Sequence, residues 1–382
     1  MDKAHIIDHF RNQLARDVLG QGDSLPRFKP MNISPWLAMS LMQKAIRRGR
    51  EEMALRAAAT LLNQAPDRLW RRLCVTAYED IGVGDFDTIA LVAAALKGKR
   101  WRTDVGGDWA VASYLVARMC GSTKCRVADD LAYGCERYTQ FEAARLAWAF
   151  EPLPRLLEQV GSDAPLPERA IALWYALGTN RYNTTALRER HGEPQAAFDG
   201  LCEHGFPDTV VEVCRLGFRK CSEIITAFII LLHQEVQNAS CHVEPDDLPV
   251  EVLIGEVPCW AYDMHVRDGK QAIARLLKTD CETARWARDH IPAKMQMGFF
   301  GHVLFHVESG LVDRRLRWPT ADALRHMADV HLMLSQLVRF ADRGVHRSTG
   351  FCPQGKKPSR FLSCRWMQVQ VFVASLSWLA HW

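Results

Sequence analysis

The sequence predicts an all-α fold that is built from stacked short helices. Apolar residues recur at helical spacing along most of the 382 residues, and the alternation that is typical of strands is nearly absent. Helix boundaries are marked as well: Ser34 before Pro35 is a typical helix start, and Gly82 is a typical helix end. Only the stretch VEVLIG at 250–255 is predicted to form a short strand.

The apolar periodicity places the helices in chain order, separated by short turns. Besides one N-terminal helix, the predicted helices lie approximately at 36–48, 50–63, 66–81, 86–97, 108–120, 123–134, 138–150, 167–177, 183–190, 194–204, 208–218, 220–237, 259–278, 281–290, 292–309 and 320–342. A loop rich in Pro and Asp at 239–258 precedes the last four of these helices.

These elements group into five segments. The sequence predicts an N-terminal helix with a linker, a first helical domain, two further helical domains and an irregular tail, at 1–30, 31–137, 138–240, 241–343 and 344–382. The tail is expected to be irregular because it mixes Pro, Gly, basic and apolar residues without a helical period.

Composition and charge indicate an ordinary globular protein of the cytoplasm. Apolar residues make up 48% of the chain and the net charge is +4, so nucleic acid is permitted as a partner but is not demanded. The 12 cysteines are scattered without a Cys-x-x-Cys pair, which indicates a reducing compartment. The N-terminus carries no secretory signal pattern, and the longest apolar runs are too short to span a membrane.

Several common catalytic and nucleotide-binding motifs are absent from the sequence. It has no P-loop, no Gly-x-Gly-x-x-Gly after a strand, no His-Glu-x-x-His and no Gly-x-Ser-x-Gly. His302 and His306 stand four residues apart, with Glu308 beyond them, a spacing that suits a metal on one helix face. Because the segment is otherwise apolar, we favour a packed core pair and predict neither a metal nor another cofactor.

The helix within LWRRLCVTAYEDIGVGD, at 69–85, ends on an acidic pair. At 100° per residue its apolar side chains form one stripe, which consists of Trp70, Leu73, Cys74, Ala77 and Ile81. Glu79 falls opposite this stripe and Asp80 on its flank, which predicts a solvated or cation-paired Glu79 and a half-buried Asp80. Since the helix dipole disfavours acids at a C-terminus, the pair is expected to have partners or a function.

The acidic pair belongs to a series of three motifs within 35–137, about a quarter of the chain. They are Lys44-Ala45-Ile46-Arg47, then Arg71-Arg72-Leu73 with Glu79-Asp80-Ile81-Gly82, then Gly121-Ser122-Thr123-Lys124. Together they resemble the C-terminal collar of the clamp-loader-like, replication-associated recombination ATPases of the MgsA/RarA type.

The resemblance implies a helical scaffold that, in the relatives, holds subunits together, so a homo-oligomer is one expectation. ATP-driven remodelling does not carry over, because only about 30 residues precede the collar-like part of this sequence. In one interpretation Glu79 and Asp80 only hold the collar helices together, through Arg71, Arg72 or Lys44. In the other, the acidic pair serves chemistry.

A second candidate is the stretch CWAYDMHVRDGKQAIARLL at 259–277. On one continuous helix, Asp263 would lie at the edge of an apolar face with Arg267 and Lys270 four and seven residues later. Such an Asp stays ionised and, at the rim of a pocket, can stabilise a developing cation or orient water. The plainer alternative is an intrahelical Asp–Arg pair, which contributes a few tenths of a kcal/mol.

Basic and aromatic residues interleave in three loops, a pattern that suits DNA phosphates. The loops are LKGKRWRTDVGGDW at 96–109, Asn180-Arg181-Tyr182-Asn183 and Arg314-Arg315-Leu316-Arg317-Trp318. Each loop alone is more often merely solvated, but three of them favour nucleic acid. The predicted DNA-binding residues are Lys44, Arg47, Arg71, Arg72, Lys97, Lys99, Arg100, Trp101, Arg102, Lys124, Arg181, Tyr182 and Arg267.

An all-helical protein with a collar-like part, basic-aromatic loops, edge carboxylates and no cofactor motif is similar to the helical DNA glycosylases of bacterial anti-phage defence. The likeness implies that the chain binds double-stranded DNA, flips out a modified base such as glucosylated hydroxymethylcytosine, and leaves an abasic site. A carboxylate would stabilise the positive charge that develops on the sugar. The predicted catalytic residues are Asp263 or Asp80, with Glu79 in support and Lys270 as the nucleophile of a lyase variant.

Two other hypotheses stay open. A non-enzymatic module would use the collar fold to bind DNA or a replication protein, or to self-assemble. A helical-repeat adaptor for proteins would explain the stacked helices but gives no reason for the basic-aromatic loops.

Overall fold

The computed structural model describes residues 3–22, 28–96, 98–182, 184 and 186–328, and this part of the chain is all-α, as predicted. Its α-helices, numbered α1 to α17 in chain order, are Lys3–Gly20, Pro35–Arg47, Glu51–Gln64, Pro66–Thr76, Phe86–Ala95, Lys99–Asp104, Gly107–Gly121, Val127–Arg137, Glu142–Trp148, Leu153–Gly161, Leu166–Leu177, Pro194–Glu203, Asp208–Cys221, Ile225–Asn238, Arg267–Leu276, Glu282–His290 and Ala293–Leu304. A further helical run covers 319–328. The tail predicted at 344–382 lies outside the described residues.

Within the described ranges, four short strands form two small antiparallel sheets beside the helices. β1 (His242–Glu244) pairs antiparallel with β4 (Arg315–Arg317). β2 (Leu253–Ile254) and β3 (Val257–Pro258) form a small hairpin, so the extended stretch predicted at 250–255 is confirmed at its C-terminal end. Lys124 forms a parallel bridge to Arg315 and thereby joins the turn before α8 to the first sheet.

The start of α2 follows the sequence signal. The Ser34 hydroxyl accepts a hydrogen bond from the backbone N–H of Leu37 at 3.2 Å, and Pro35 occupies the first helical position, where a missing N–H costs nothing. α2 then runs to Arg47 and packs along α3, which places Gln43, Lys44 and Arg47 inside the protein.

The helix that carries the acidic pair changes its winding before it ends. α4 is α-helical from Pro66 to Thr76, and Ala77–Ile81 continues as one π-helical turn, which we call the first π turn. Gly82 ends it at a φ of 51°, and a Cβ there would lie only 2.4 Å from the carbonyl oxygen of Cys125. The predicted end at Gly82 is confirmed. The π turn was not predicted, and such turns occur frequently at functional sites.

The helix predicted at 259–278 is wrong in its first half. Cys259–Ala261 is a single 3-10 turn, and the α-helix begins only at Arg267. The Asp263 carboxylate accepts a hydrogen bond from the backbone N–H of His265 at 2.8 Å, which competes with helical pairing. The missing side chain of Gly269 lets its backbone approach Asp263, since a Cβ there would lie 2.0 Å from the Asp263 carbonyl oxygen.

Two other helix predictions need correction. The segment predicted at 183–190 is not helical where the structure describes it, because Thr179 pairs with Arg190 through its backbone N–H at 2.9 Å and holds that segment extended. The helix predicted at 123–134 begins at Val127 instead, because Lys124 pairs with the strand around Arg315.

The hydrophobic core is continuous across the boundaries predicted at 137 and 240. Buried residues from Ile6 to Leu324 belong to one cluster, and its members include Cys135, Ile171, Leu231 and Trp260. In the part of the chain that the structure describes, no helix has the length and apolarity needed to cross a membrane.

Candidate active site in a buried charge network

The motifs that flank the acidic pair meet at one place in the fold. α2 contributes Gln43 and Arg47, the first π turn contributes Glu79 and Asp80, and the residue before α8 is Arg126. We call these five residues the charge network. All except Glu79 are buried, and Glu79 keeps 17% of its side chain exposed.

Asp80 lies at the centre of the charge network and is 0% exposed, so the predicted half-buried position is wrong. One carboxylate oxygen accepts hydrogen bonds from Nε of Arg47 at 2.7 Å and from a terminal nitrogen of Arg126 at 2.9 Å. The other accepts one from the Gln43 amide at 2.9 Å. Three donors therefore compensate the Asp80 charge inside the protein, and no part of the carboxylate reaches solvent.

Glu79 is the carboxylate of the pair that reaches solvent. It accepts hydrogen bonds from Arg47 at 2.8 Å and from Gln43 at 3.1 Å, and Arg126 lies 3.5 Å away. Burial and the neighbouring charge of Asp80 raise the pKa of Glu79 above its ordinary 4.5, although Arg47 and Arg126 act in the opposite direction. The prediction of a cation-paired Glu79 is confirmed, but its partners are Arg47 and Arg126. Arg72 is linked to it only through Gln43.

Arg126 was missed by the sequence analysis. Besides Asp80 and Glu79, it donates to Asp129 at 2.7 Å, a carboxylate that is 44% exposed. Burial lowers the pKa of Arg126, but the charges of Asp80, Asp129 and Glu79 outweigh that effect and raise it. Its one signal in the sequence is its position two residues after the Gly-Ser-Thr-Lys turn, and the pairing of Cys125 with the first π turn could not be predicted from spacing.

Three carboxylates thus surround two guanidiniums within ion-pairing distance, which leaves an excess negative charge. Glu79, Asp80 and Asp129 supply the negative charges, and Arg47 and Arg126 supply the positive ones. An excess carboxylate next to solvent can stabilise a developing cation or move a proton.

Asp263 lies in a separate buried ion pair with Lys44. The Lys44 ammonium is 2.8 Å from the Asp263 carboxylate, and both side chains are only 4% exposed. Burial alone would raise the pKa of Asp263, but the charge and hydrogen bond of Lys44 outweigh it and hold that pKa below its ordinary value. The predicted pairing of Asp263 with Arg267 and Lys270 is wrong because the helix begins after Asp263, and Arg267 and Lys270 are exposed.

Lys44 makes the stability depend on pH. Burial lowers the pKa of Lys44 from 10.5 to about 8, although Asp263 opposes this. Between these pH values the folded chain binds fewer protons than the unfolded chain, so stability rises with pH across this window. We expect the advantage of the wild type over Lys44→Met, in free energy of unfolding, to grow by about 1–3 kcal/mol from pH 7.5 to 10.

Urea unfolding of both proteins at a series of pH values checks this. The exposed Lys294 supplies the control, and the difference between wild type and Lys294→Met should stay constant. A constant difference for Lys44→Met as well would contradict the expectation.

A second π turn, Phe305–Ser309, packs against the charge network from the C-terminal part of the chain. The carbonyl oxygen of Ser309 accepts a hydrogen bond from Arg47 at 2.7 Å. The guanidiniums of Arg47 and Arg126 each lie 5.9 Å from the centre of the Phe305 ring, whose edge meets His265. Phe305 is half-buried and His265 is exposed, so this aromatic pair forms part of the rim near Glu79.

Glu308 in the same turn is also buried. The Cys259 thiol donates to the Glu308 carboxylate at 3.3 Å, and burial raises the pKa of Glu308 although Arg48 opposes this. The carbonyl oxygen of Glu308 accepts a hydrogen bond from Arg48 at 2.8 Å. The sequence pattern had indicated this carboxylate only as a metal ligand.

The metal spacing of His302 and His306 has no further support. His302 is exposed, so the predicted packed core pair is wrong for that residue, and the side chain of His306 lies outside the described part. Among the residues that the structure describes, no group of three or more His, Cys, Asp or Glu side chains is placed to hold a metal ion.

Four of the predicted DNA-binding cations are buried and cannot meet phosphates in this structure. Arg47 belongs to the charge network and Lys44 pairs with Asp263. Lys124 is 0% exposed and donates to the carbonyl oxygens of Cys120 and Ser122. The fourth is Arg102, a buried residue of the short helix α6.

Arg102 fixes the short helix α6 against α4. It forms a 2.6 Å ion pair with Asp108, and its guanidinium lies 3.9 Å above the ring of Trp70. Both Lys99 and Arg100, on the same short helix, are exposed.

The remaining predicted DNA contacts differ in exposure. Exposed side chains are Arg71, Lys99, Arg100, Arg181 and Arg267. Half-buried side chains are Arg72, Trp101 and Tyr182. Lys97 lies outside the described residues. In the third loop Arg315 is buried and forms two hydrogen bonds with Asp246, so that loop is largely structural.

Two cavities stand out on the described part of the chain. The larger, about 610 Å³, lies between the start of α2 and the β2–β3 hairpin, where Leu37 and Val257 face Tyr262. The smaller, about 420 Å³, lies in the loop around Arg181 and Tyr182. Neither is lined by Glu79, Asp80 or Asp263.

No protein-family model, curated protein or solved structure matches this chain. The collar and glycosylase resemblances therefore stay predictions. The functional proposal therefore depends on the geometry of the charge network. The sequence predicted the carboxylate pair, and the structure places the guanidiniums of Arg47 and Arg126 against it.

Proposed function

We propose that this chain binds double-stranded DNA and hydrolyses the N-glycosidic bond of a modified base, leaving an abasic site. Glucosylated hydroxymethylcytosine of phage DNA is the substrate that the sequence resemblance suggests. The observation that carries the proposal is the unlike placement of two adjacent carboxylates. Asp80 is sealed and fully hydrogen-bonded, whereas Glu79 reaches solvent with a raised pKa.

Glu79 acts as the acid and then as the base in this proposal. Its raised pKa lets it hold a proton closer to neutral pH than an ordinary glutamic acid, so it can protonate the departing base. The resulting carboxylate then accepts a proton from the water that attacks the sugar. The excess negative charge that Asp129 adds to the network stabilises the cation that develops on the sugar during bond cleavage.

Asp80 and Asp263 have positioning roles here. Asp80 fixes Arg47 and Arg126, which in turn hold Glu79. Asp263 anchors Lys44 one helical turn before Arg47 on α2. Lys270 takes no part, because it is exposed on α15 and the helix register that brought it to Asp263 does not exist.

The DNA would lie along the exposed cations of α4 and α6. Arg71 lies on α4, the helix that leads into Glu79, and the stacking of Arg102 on Trp70 holds Lys99 and Arg100 next to α4. Phosphate contacts of this kind set the position of the duplex, whereas Phe305 and His265 offer aromatic surface to an unstacked base.

The test is an incubation of the full chain with two DNA duplexes of identical sequence, one with cytosine and one with glucosylated hydroxymethylcytosine. We expect abasic sites and free modified base from the second duplex only, detected by an aldehyde-reactive probe and by mass spectrometry. Absence of release from both duplexes would overturn the enzymatic proposal.

The cavity positions favour a second candidate, a non-enzymatic DNA-binding or self-assembling module. A base-excising enzyme needs a pocket for the flipped base, and neither of the two cavities described above is lined by the acidic pair. DNA binding that weakens steeply with salt, without base release and without loss in Glu79→Gln, is the result that this candidate requires.

A further inference from the structure

Two cysteine thiols that are distant in sequence lie almost in bonding contact. The sulfur of Cys74 on α4 is 3.2 Å from the sulfur of Cys221 at the end of α13, 147 residues later. A disulfide bond has a sulfur–sulfur length of about 2.05 Å, so a relative shift of roughly 1 Å would join them.

The two thiols differ in access. Cys74 is 1% exposed, whereas Cys221 is half-buried, with exposed Arg219 and Lys220 directly before it. Cys221 donates to the carbonyl oxygen of Gly217 at 3.1 Å, and the hydrogen bond with Cys221 followed by burial raises the pKa of Cys74. An oxidant therefore reaches the Cys221 thiol first, and the buried Cys74 thiol lies next to the oxidised sulfur.

We propose that Cys74 and Cys221 form an oxidation site that hydrogen peroxide converts reversibly into an intramolecular disulfide. The Cys221 sulfur attacks the peroxide, a sulfur–oxygen bond forms, the oxygen–oxygen bond breaks, and water leaves with the thiol proton. The Cys74 sulfur then attacks the sulfenic sulfur of Cys221, the sulfur–oxygen bond breaks, and a second water carries away the remaining proton. Two thiols are oxidised and one peroxide is reduced, and a small dithiol restores the starting state.

The surroundings hold the two helices that carry the thiols in close contact. α4 and α13 already pack together, and the hydroxyl of Tyr78 donates to the carbonyl oxygen of Val213 at 2.7 Å. Gly217 sits so close to Tyr78 that a Cβ there would lie 2.3 Å from the phenol ring. The disulfide would lock α13 onto the helix that leads into Glu79, so its formation is a modification next to the candidate active site, and it is independent of the proposed reaction.

The experiment treats the full chain with an equimolar amount of hydrogen peroxide, blocks the remaining thiols with an alkylating reagent and maps the peptides by mass spectrometry. We expect a linked peptide pair that contains Cys74 and Cys221, a mass loss of about 2 Da, and recovery of both thiols after treatment with dithiothreitol. Cys74→Ser should instead accumulate a Cys221 sulfenic acid that dimedone traps, and Cys221→Ser should leave Cys74 unmodified.

Cys214 offers a matched control, since it lies on the same helix, is 0% exposed and has a pKa raised by burial. Cys214→Ser should form the Cys74–Cys221 bond at the wild-type rate. Retention of both free thiols under peroxide, or a disulfide between a different pair, would overturn the proposal. Base release measured beside it reports on the proposed function separately, because thiol mapping needs no DNA.

Discussion

Replacing Asp80 with Asn should lower the free energy of unfolding by about 3–5 kcal/mol, because the change removes the fully buried carboxylate to which two buried guanidiniums donate and leaves them the partly exposed Glu79 and Asp129 as charge partners. Arg47 and Arg126 both donate to Asp80, and both side chains are buried. Urea unfolding of the wild type and Asp80→Asn at neutral pH measures the loss.

Asp129→Asn is the matched control for this loss. Asp129 binds the same Arg126 but is 44% exposed, so removal of its charge should cost at most about 1 kcal/mol. If the free energies of unfolding of Asp80→Asn and Asp129→Asn differed by less than about 1 kcal/mol, Asp80 would not be the centre of a buried network.

Replacing Glu79 with Gln should reduce the rate of base release by about 10²–10⁴-fold while leaving the protein at least as stable as the wild type. The folded-state pKa of Glu79 is raised, so its contribution to stability is present below the unfolded pKa and is lost as pH rises through the folded pKa. Above that folded-state pKa the ionised Glu79 therefore destabilises the fold, and the neutral amide of the Glu79→Gln variant removes that cost. The opposite stability effects of neighbouring Glu79→Gln and Asp80→Asn are what an active-site residue beside a structural residue should give.

Single-turnover release from the modified duplex, together with thermal unfolding, measures both quantities for Glu79→Gln. Glu203→Gln serves as the control, because it removes an exposed carboxylate on α12 that does not belong to the charge network, and its release rate should stay within a few-fold of the wild type. A Glu79→Gln protein with the wild-type release rate would remove Glu79 from the mechanism. A protein as unstable as Asp80→Asn would mark the pair as structural.

The local elements were largely predictable from the sequence, since short-range signals determine them. The Ser34 cap, the proline at the start of α2 and the Gly82 end all act within one turn of helix, and each is observed where it was expected. The apolar stripe from Trp70 to Ile81 is likewise buried. These features depend on neighbours in sequence, so no knowledge of the tertiary structure was needed.

The burial of Asp80 was not predictable because the helical period changes before it and because the side chains that cover it come from distant parts of the sequence. Counting 100° per residue is valid for an α-helix, whereas the first π turn, Ala77–Ile81, has more residues per turn and rotates each side chain less. The error accumulates after Thr76 and turns Asp80 further from the apolar stripe, and Gln43, Arg47 and Arg126 cover it on that side. Nothing in the letters AYEDI indicates a π turn on its own.

The partners of the acidic side chains were not predictable because they come from distant parts of the chain. Asp263 was assigned to Arg267, four residues away, yet its partner is Lys44, whose ammonium also reaches the carbonyl oxygen of Ala261, 217 residues away along the chain. Sequence spacing can rank only local pairs. A buried carboxylate takes whichever cation the tertiary fold brings to it.

The second π turn has a consequence for the order in which the molecule assembles. Arg47 and Arg48 reach it over sequence separations of 262 and 260 residues, so these two guanidiniums lack part of their hydrogen bonding until the C-terminal third has docked. Contacts of such high contact order are slow to form, because the loop that they close is costly in entropy. During synthesis on the ribosome, α2 emerges long before the second π turn, and the surroundings of Arg47 are complete only after that turn has been made. The chain is therefore expected to gain stability and a competent site together, with docking of the second π turn as the commitment step of folding.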